Sequence, residues 1–224
     1  MLRFIKEVKN PELLVVTPLL SNSLCKHKIS RETKVDLLRN DINFAWVSYE
    51  SNDNTAKNFA NGIKAYREKY TPKYVMMVDR DIIPSRHMLD RIYEVLKKSS
   101  NEIAFCYCNF EFKGEINKKF YNMQYDPILL LHGNYISSNS MIKLSKLDET
   151  GGVIVNNKYQ RLLDWALWLN FLSYGYYGIL CNSTSFIAIS DKDSISARSG
   201  EDYKLKHKLV QQDFIDPLLD GIIY

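Results

Sequence analysis

Short apolar runs alternate with amphipathic segments through the first hundred residues. Residues 13–17, 44–49 and 74–78 are short and almost entirely apolar, which predicts buried strands, the first of them ended by Pro18. Helices are predicted at 31–39, 55–69 and 85–98. Buried strands that alternate with helices favour a parallel arrangement covered on both faces. We therefore expect an α/β fold with a Rossmann-like, mostly parallel central sheet flanked by helices.

The second half is mixed. It predicts strands at 103–112 and 179–190 and helices at 159–174 and 203–214. The polar stretch 190–202 is expected to be a mobile loop. No linker is visible, so one domain is predicted over residues 1–224, and the apolar ending 221–224 leaves open a further domain after Tyr224.

Composition excludes several classes of protein. The 30 Lys and Arg residues against 26 Asp and Glu give a net charge of +4, too weak for a nucleic-acid partner. The apolar runs are too short for a membrane span, and the charged first residues do not form a signal peptide, so a cytoplasmic location is expected. Cys25, Cys106, Cys108 and Cys181 are scattered, which favours buried thiols over a disulfide framework.

Two carboxylates directly follow the third apolar run. Asp79 and Asp81 are two residues apart and can point to the same side, at the strand end where α/β sheets bind ligands. Because close carboxylates repel, a divalent cation with oxygen ligands would stabilise the pair. The alternative is a surface turn in which Arg80 neutralises one acid.

Several segments in order resemble one family. They are residues 15–18 (VVTP), 54–63 (NTAKNFANGI), 74–84 (YVMMVDRDIIP), 147–153 (LDETGGV), 163–169 (LDWALWL) with Gly175, and 194–198 (SISAR). Together they resemble the GT-A-fold glycosyltransferases, specifically the large, mostly inverting family that uses nucleotide-diphosphate sugars. The resemblance implies a nucleotide-binding half at about 1–100 and an acceptor-binding half at about 101–224.

Some positions depart from the family pattern. Leu163 stands where an acid usually precedes the catalytic aspartate, and residues 50–53 reduce the usual acidic cluster after the second strand. The short segment before Asp79 is similar to the compact glycosyltransferases of large DNA viruses and some fungal mannosyltransferases. Donor identity and stereochemistry therefore stay open.

The resemblance also implies roles for individual residues. Asp79 and Asp81, with His207, would bind Mn2+ or Mg2+. The nucleotide-sugar donor would contact Thr17, Pro18, Glu50, Asp53, Lys57, Asn58, Asp79, Arg80 and Arg198. Alternatively, Thr17 and Asp53 form turns, and Lys57 and His207 are solvated surface residues.

Asp164 is the candidate catalytic base. It is a lone carboxylate in an apolar stretch, where desolvation would raise its pKa and make it a better proton acceptor. Its alternative roles are an acid favoured by a helix N-terminus, or a partner of Arg161. Trp165 and Trp168 are the best candidates for stacking against an acceptor sugar.

The predicted function is metal-dependent transfer of a sugar, from a UDP-sugar, to a hydroxyl of a glycan or glycoconjugate, with inversion. The alternatives are a retaining GT-A transferase with another nucleotide sugar, a sugar-nucleotide-forming nucleotidyltransferase, and a non-catalytic relic that binds nucleotide sugars. A nucleotidyltransferase would need a Gly-rich basic loop after the first strand, and residues 17–22 contain no glycine.

Overall fold

The computed structural model describes residues 1–21, 29–190 and 201–220. Within these ranges the strands are β1 (Leu2–Lys6), β2 (Leu13–Leu20), β3 (Phe44–Ser51), β4 (Tyr74–Met77), β5 (Ile82–Pro84), β6 (Ile103–Gly114), β7 (Lys118–Phe120), β8 (Met141–Lys143) and β9 (Tyr177–Ser190). The α-helices are α1 (Arg31–Leu38), α2 (Thr55–Arg67), α3 (Met88–Lys98), α4 (Pro127–His132), α5 (Leu144–Glu149), α6 (Leu163–Ser173), α7 (Glu201–Val210) and α8 (Asp216–Asp220). A π-helical turn, Gln211–Ile215, joins α7 to α8, and a 3-10 turn lies at Asn157–Tyr159.

The nine strands form one mixed sheet, in the order β1-β3-β2-β4-β8-β6-β9-β5, with β7 paired to β6. Three of the strand pairs are parallel and five are antiparallel. The α/β class is confirmed, but the prediction of a mostly parallel sheet is wrong. The parallel β3-β2-β4 unit matches the alternating pattern, whereas short antiparallel strands, β8 above all, join it to the second half.

The first predicted strand does not end at Pro18. It continues to Leu20 and stays paired with β3, with Pro18 opposite Tyr49. On its other side, β2 pairs with β4 only as far as Val16 opposite Met77. Beyond that point β2 has one strand neighbour, so a residue without an N–H is tolerated there.

The helices largely follow the predicted periodicity, with changes at their ends. Residues 85–87 precede α3 rather than belonging to it, and α6 begins only at Leu163. Asn54 caps α2, since its side chain accepts a hydrogen bond from the Lys57 N–H. The helix predicted at 203–214 runs on through the π-helical turn into α8.

Apolar side chains form two clusters. One contains Phe59 and Ile63 of α2 with Trp165 and Trp168 of α6. The other contains Trp46 and the apolar face of α3. Cys106, Cys108 and Cys181 are buried free thiols as predicted, while Cys25 lies outside the described residues. Of the loop predicted at 190–202, Ser190 ends β9, residues 201–202 begin α7, and residues 191–200 lie outside the described residues. In the described part of the chain, no helix has the length and apolar character needed to cross a bilayer.

Candidate functional site

The candidate site lies where β2 and β4 separate. The Val78 N–H donates the last hydrogen bond between them, to the Val16 carbonyl at 3.0 Å. The chain then turns away through residues 79–81 and enters β5, which pairs with β9. Asp79 and Asp81 therefore sit at the carboxyl ends of the parallel strands, as the sequence predicted.

The backbone of this segment is held from two sides. On the side of α1, the Ser30 N–H donates to the Arg80 carbonyl at 2.8 Å, and the Thr33 hydroxyl donates to the Ile82 carbonyl at 2.5 Å. On the side of β9, the Ile189 N–H donates to the Asp81 carbonyl at 3.3 Å. The two carboxylates thus project from a fixed backbone.

Asp79 is held by Asn139. The Asp79 N–H donates to Asn139 Oδ1 at 2.8 Å, and Asn139 Nδ2 donates to Asp79 Oδ2 at 2.8 Å. Burial and the charge of Asp81 raise the pKa of Asp79 to about 6, against the Asn139 hydrogen bond and the charge of Arg80. The ionised form of Asp79 is therefore destabilised in this site.

Asp81 is more accessible than Asp79. Its side chain is 42% exposed, and Arg80 Nε lies 3.9 Å from Asp81 Oδ2. The pair supplies carboxylate oxygens, the ligand type that Mg2+ and Mn2+ prefer, and the repulsion between them is of the kind that a cation relieves. The residues therefore fit the divalent ion that the resemblance implies.

Asp164 is the second residue of α6. Its Oδ1 accepts the Trp165 N–H at 2.9 Å, and the Asn134 side chain also hydrogen-bonds to it. Burial raises the pKa of Asp164 to about 6, opposed by these hydrogen bonds, and the charge of Asp79 raises it further. Desolvation therefore raises the pKa of Asp164 in the direction that the sequence predicted, and Asp79 is near enough for its charge to contribute.

The asparagines that contact these carboxylates were missed by the sequence analysis. Asn134 and Asn139 lie in the segment that connects α4 to β8, and Asn139 is 3% exposed. The only signal was a run of Asn and Ser residues just before the apolar pair Met141 and Ile142. Such runs are typical of ordinary turns, so the pattern alone does not point to a site.

Trp165 and Trp168 do not face an acceptor. Both are buried, and their indole N–H groups donate to backbone carbonyls, Trp165 to Leu130 at 2.7 Å and Trp168 to Ile136 at 3.2 Å. The prediction that they stack on an acceptor sugar is wrong. Instead, they fasten α4 and the segment after it to α6.

Four of the predicted donor-binding residues have structural contacts. Two of them, Asp53 and Lys57, pair at the start of α2, and the other two, Asn58 and Thr17, are buried in the core. Lys57 Nζ contacts Asp53 Oδ1 at 2.8 Å. The Asn58 side chain is fully buried and donates to the Leu19 carbonyl at 2.6 Å, so it ties α2 to β2. Thr17 is also fully buried, and its hydroxyl oxygen accepts the Trp46 indole N–H at 3.0 Å.

The other predicted site residues are spread more widely. Pro18 is buried, and Glu50 Oε2 lies 3.4 Å from Arg3 Nη2 of the edge strand β1. The His207 ring lies against Trp165, with 4.6 Å between ring centroids. Within the residues that the structure describes, His207 does not form a group with Asp79 and Asp81 whose ligand atoms all lie within 4.8 Å, so its predicted place in that metal site is not seen. Arg198 lies outside the described residues.

Among the described residues, one His and acid cluster has ligand atoms within 4.8 Å of one another: Asp41, His87 and Asp90. Asp90 accepts the N–H groups of Asp41 and Ile42, and His87 Nδ1 lies 2.9 Å from Asp90 Oδ2. These contacts give the cluster a structural role, in joining α3 to the turn before β3.

Comparison with known proteins gives a structural match only. No protein-family model and no curated protein matches the chain. A crystal structure of S. aureus TarS aligns over 90% of this chain and 39% of its own, with a TM-score of 0.56 and 13% identity. A structure of S. aureus TarS 1-349 in complex with UDP-GlcNAc aligns over 90% of this chain and 66% of its own, with a TM-score of 0.51 and 13% identity. This chain spans less than two thirds of either, and the likeness shows a shared fold.

Proposed function

We propose that this chain is a glycosyltransferase that takes a sugar from a nucleotide-diphosphate sugar. The observation that carries the proposal is the pair Asp79 and Asp81 at the carboxyl ends of the parallel strands, with Asp164 near enough for the charge of Asp79 to act on it, in a fold shared with the glycosyltransferase TarS. Burial raises the pKa of both Asp79 and Asp164, with a further rise at Asp79 from the charge of Asp81 and at Asp164 from the charge of Asp79. Such carboxylates are costly to a fold, and sites that contain them are typically functional. TarS 1-349 has been crystallised with UDP-GlcNAc, so a UDP-sugar is the first donor to test.

Asp79 and Asp81 are proposed to hold Mn2+ or Mg2+, which when bound stabilises charge on the departing diphosphate. Asn139 and the two-sided backbone support keep the Asp79 carboxylate in place. The leaving nucleoside diphosphate would then be received by a prearranged site, without a costly rearrangement at the moment of transfer.

Asp164 is proposed to take the proton of the acceptor hydroxyl. The hydroxyl oxygen attacks the anomeric carbon as its proton passes to Asp164. The bond from that carbon to the diphosphate oxygen breaks, and its electron pair leaves with the nucleoside diphosphate. A single displacement of this kind inverts the anomeric configuration, and the raised pKa of Asp164 suits a base that works near neutral pH.

The test is nucleotide release from UDP-, GDP- and dTDP-sugars without acceptor, in Mn2+ and then in EDTA. We expect release from the UDP-sugars that is lost in EDTA and in Asp81→Ala. Asp148→Asn, which changes an exposed carboxylate paired with Arg67, is the matched control and should keep full release. If no donor is hydrolysed and none stabilises the protein against heat, the proposal fails. Retention of configuration in a transferred product would remove the inverting mechanism.

A further inference from the structure

Asn134 and Asn139 belong to one short segment that reaches both site carboxylates. The segment leaves α4 and enters β8, and Met141 of β8 pairs with Met76 of β4. Continuing this antiparallel register sets Asn139 beside the chain just past β4, next to Asp79. At its other end the segment lies against α6, the helix that carries Asp164.

Both polar atoms of the Asn139 side-chain amide form hydrogen bonds with Asp79. Oδ1 accepts the Asp79 N–H and Nδ2 donates to its carboxylate, so the amide has one orientation only. Ser137 supports this position, since its hydroxyl oxygen accepts the Asn139 N–H at 3.1 Å. A side chain bonded to both the backbone and the carboxylate of one residue fixes the direction in which that carboxylate points.

Asn134 has the corresponding place at Asp164. Its Oδ1 accepts the Ile136 N–H at 3.0 Å, which leaves the Nδ2 group to donate to the Asp164 carboxylate. Between the two asparagines, the Ile136 carbonyl accepts the Trp168 indole N–H. The segment is thus fastened to α6 in its middle and to a site carboxylate near each end.

We propose that residues 134–139 form a positioning segment that sets the two carboxylates relative to each other. Asn139 orients Asp79 for binding the cation and the donor, and Asn134 orients Asp164 for accepting the hydroxyl proton. The inference rests on the proposed function for the role of Asp164. The role of Asn139 at Asp79 can be tested with Mn2+ alone, without a nucleotide sugar. Neither asparagine touches the reacting atoms, so both are positioning residues.

The experiment compares Asn139→Ala, Asn139→Asp and Asn134→Ala. Asn139→Asp keeps the size of the side chain and the acceptor for the Asp79 N–H, but it replaces the amide donor with a carboxylate that repels Asp79. It therefore tests the contact even if the smaller Asn139→Ala variant fails to fold. The matched control is Asn40→Ala, because Asn40 is also a buried asparagine that uses both amide atoms, with bonds to Leu37 and Leu89. Mn2+ binding is followed by electron paramagnetic resonance, UDP binding by calorimetry in Mn2+, and stability by thermal unfolding.

Both Asn139 variants should weaken Mn2+ and UDP binding by about tenfold or more, as expected for loss of a charge-assisted hydrogen bond. Asn134→Ala should bind UDP like the wild type and lose about tenfold in kcat. Asn40→Ala should lower the melting temperature without changing either binding or kcat relative to the wild type.

Binding by folded Asn139→Asp that equals the wild type would overturn the inference, and so would equal losses of UDP affinity in all four variants. A wild-type protein whose Mn2+ binding is weakened in both Asn139 variants, yet which binds no nucleotide sugar, would refute the proposed function and support the positioning of Asp79.

Discussion

Replacing Asp164 with asparagine should abolish sugar transfer and also make the protein more stable at neutral pH. In the folded protein, burial raises the pKa of Asp164 from 3.8 to about 6. At pH 7.5 the side chain is therefore ionised, although its surroundings favour the neutral acid. Asparagine has nearly the same shape and no charge, and its side-chain oxygen can still accept the Trp165 N–H. The ionised form of Asp164, which the proposed base requires, therefore lowers the stability of the fold.

The size of the effect follows from the pKa. A rise from 3.8 to about 6 corresponds to about 3 kcal/mol of free energy lost when the carboxylate ionises in the folded state. The amide of Asn134 loses its carboxylate acceptor in the variant, which costs about 1 kcal/mol. A net gain of about 2 kcal/mol remains, and in a chain of this size it raises the melting temperature by about 4–8 °C.

The assay is thermal and denaturant unfolding of the wild type and Asp164→Asn from pH 4 to pH 7.5. Because the pKa of Asp164 is raised in the folded state, the wild type loses stability as pH rises from about 4 through 6, where the carboxylate ionises. The stability advantage of Asp164→Asn should therefore be present at pH 7.5 and vanish near pH 4. Asp53→Asn is the control of opposite sign, since hydrogen bonds from Lys57 and Ser51 lower the pKa of Asp53. A gain that is independent of pH, or a variant less stable than the wild type at pH 7.5, would refute the reasoning.

Three further results are expected. At saturating donor and Mn2+, the transfer rate should fall on the acidic side with a midpoint near pH 6, to about one tenth of its plateau at pH 5, because Asp164 must be ionised to accept a proton; a flat profile between pH 5 and pH 7.5 would exclude Asp164 as the base. Asp81→Ala should remove Mn2+-dependent UDP binding, measured by calorimetry, with little change in melting temperature, since its side chain is partly exposed; unchanged binding would exclude Asp81 as a ligand. Thr33→Val should lower the free energy of unfolding by about 1 kcal/mol and weaken donor binding, because the Ile82 carbonyl loses its hydroxyl donor; Ser99→Ala, which removes a hydroxyl bond to the Leu96 carbonyl, should affect stability only.

The sequence predicted those parts of the fold that have a repeating pattern. The apolar runs became β2, β3 and β4, and the strong apolar face at residues 88–96 became α3. The strands β5 and β8 have three residues each, which is too short for alternation to be seen. Since β8 is the antiparallel strand that joins the two halves, missing it also led to the wrong expectation of a mostly parallel sheet.

The burial of the candidate carboxylates could be predicted from the sequence, but their hydrogen-bond partners could not. Asp79 and Asp164 were identified from residue type, apolar surroundings and resemblance, and burial does raise the pKa of both. Asn139 is 60 residues from Asp79 along the chain, and no local pattern indicates a contact between them. The buried side chain of Asn58 shows the same limit, since the direction in which a polar side chain points depends on its tertiary neighbours.

The pairing of β5 with β9 has a consequence for how the protein is made. Ile82 and Pro84 follow the site aspartates directly, but their strand partners, Ala188 and Phe186, come about a hundred residues later. At a translation rate of about 5–20 residues per second, that interval lasts roughly 5–20 s on the ribosome. Throughout it, β5 has an open edge that a neighbouring nascent chain or a chaperone can bind. The turn that carries Asp79 and Asp81 therefore gains its full support only when β9 has emerged and folded back.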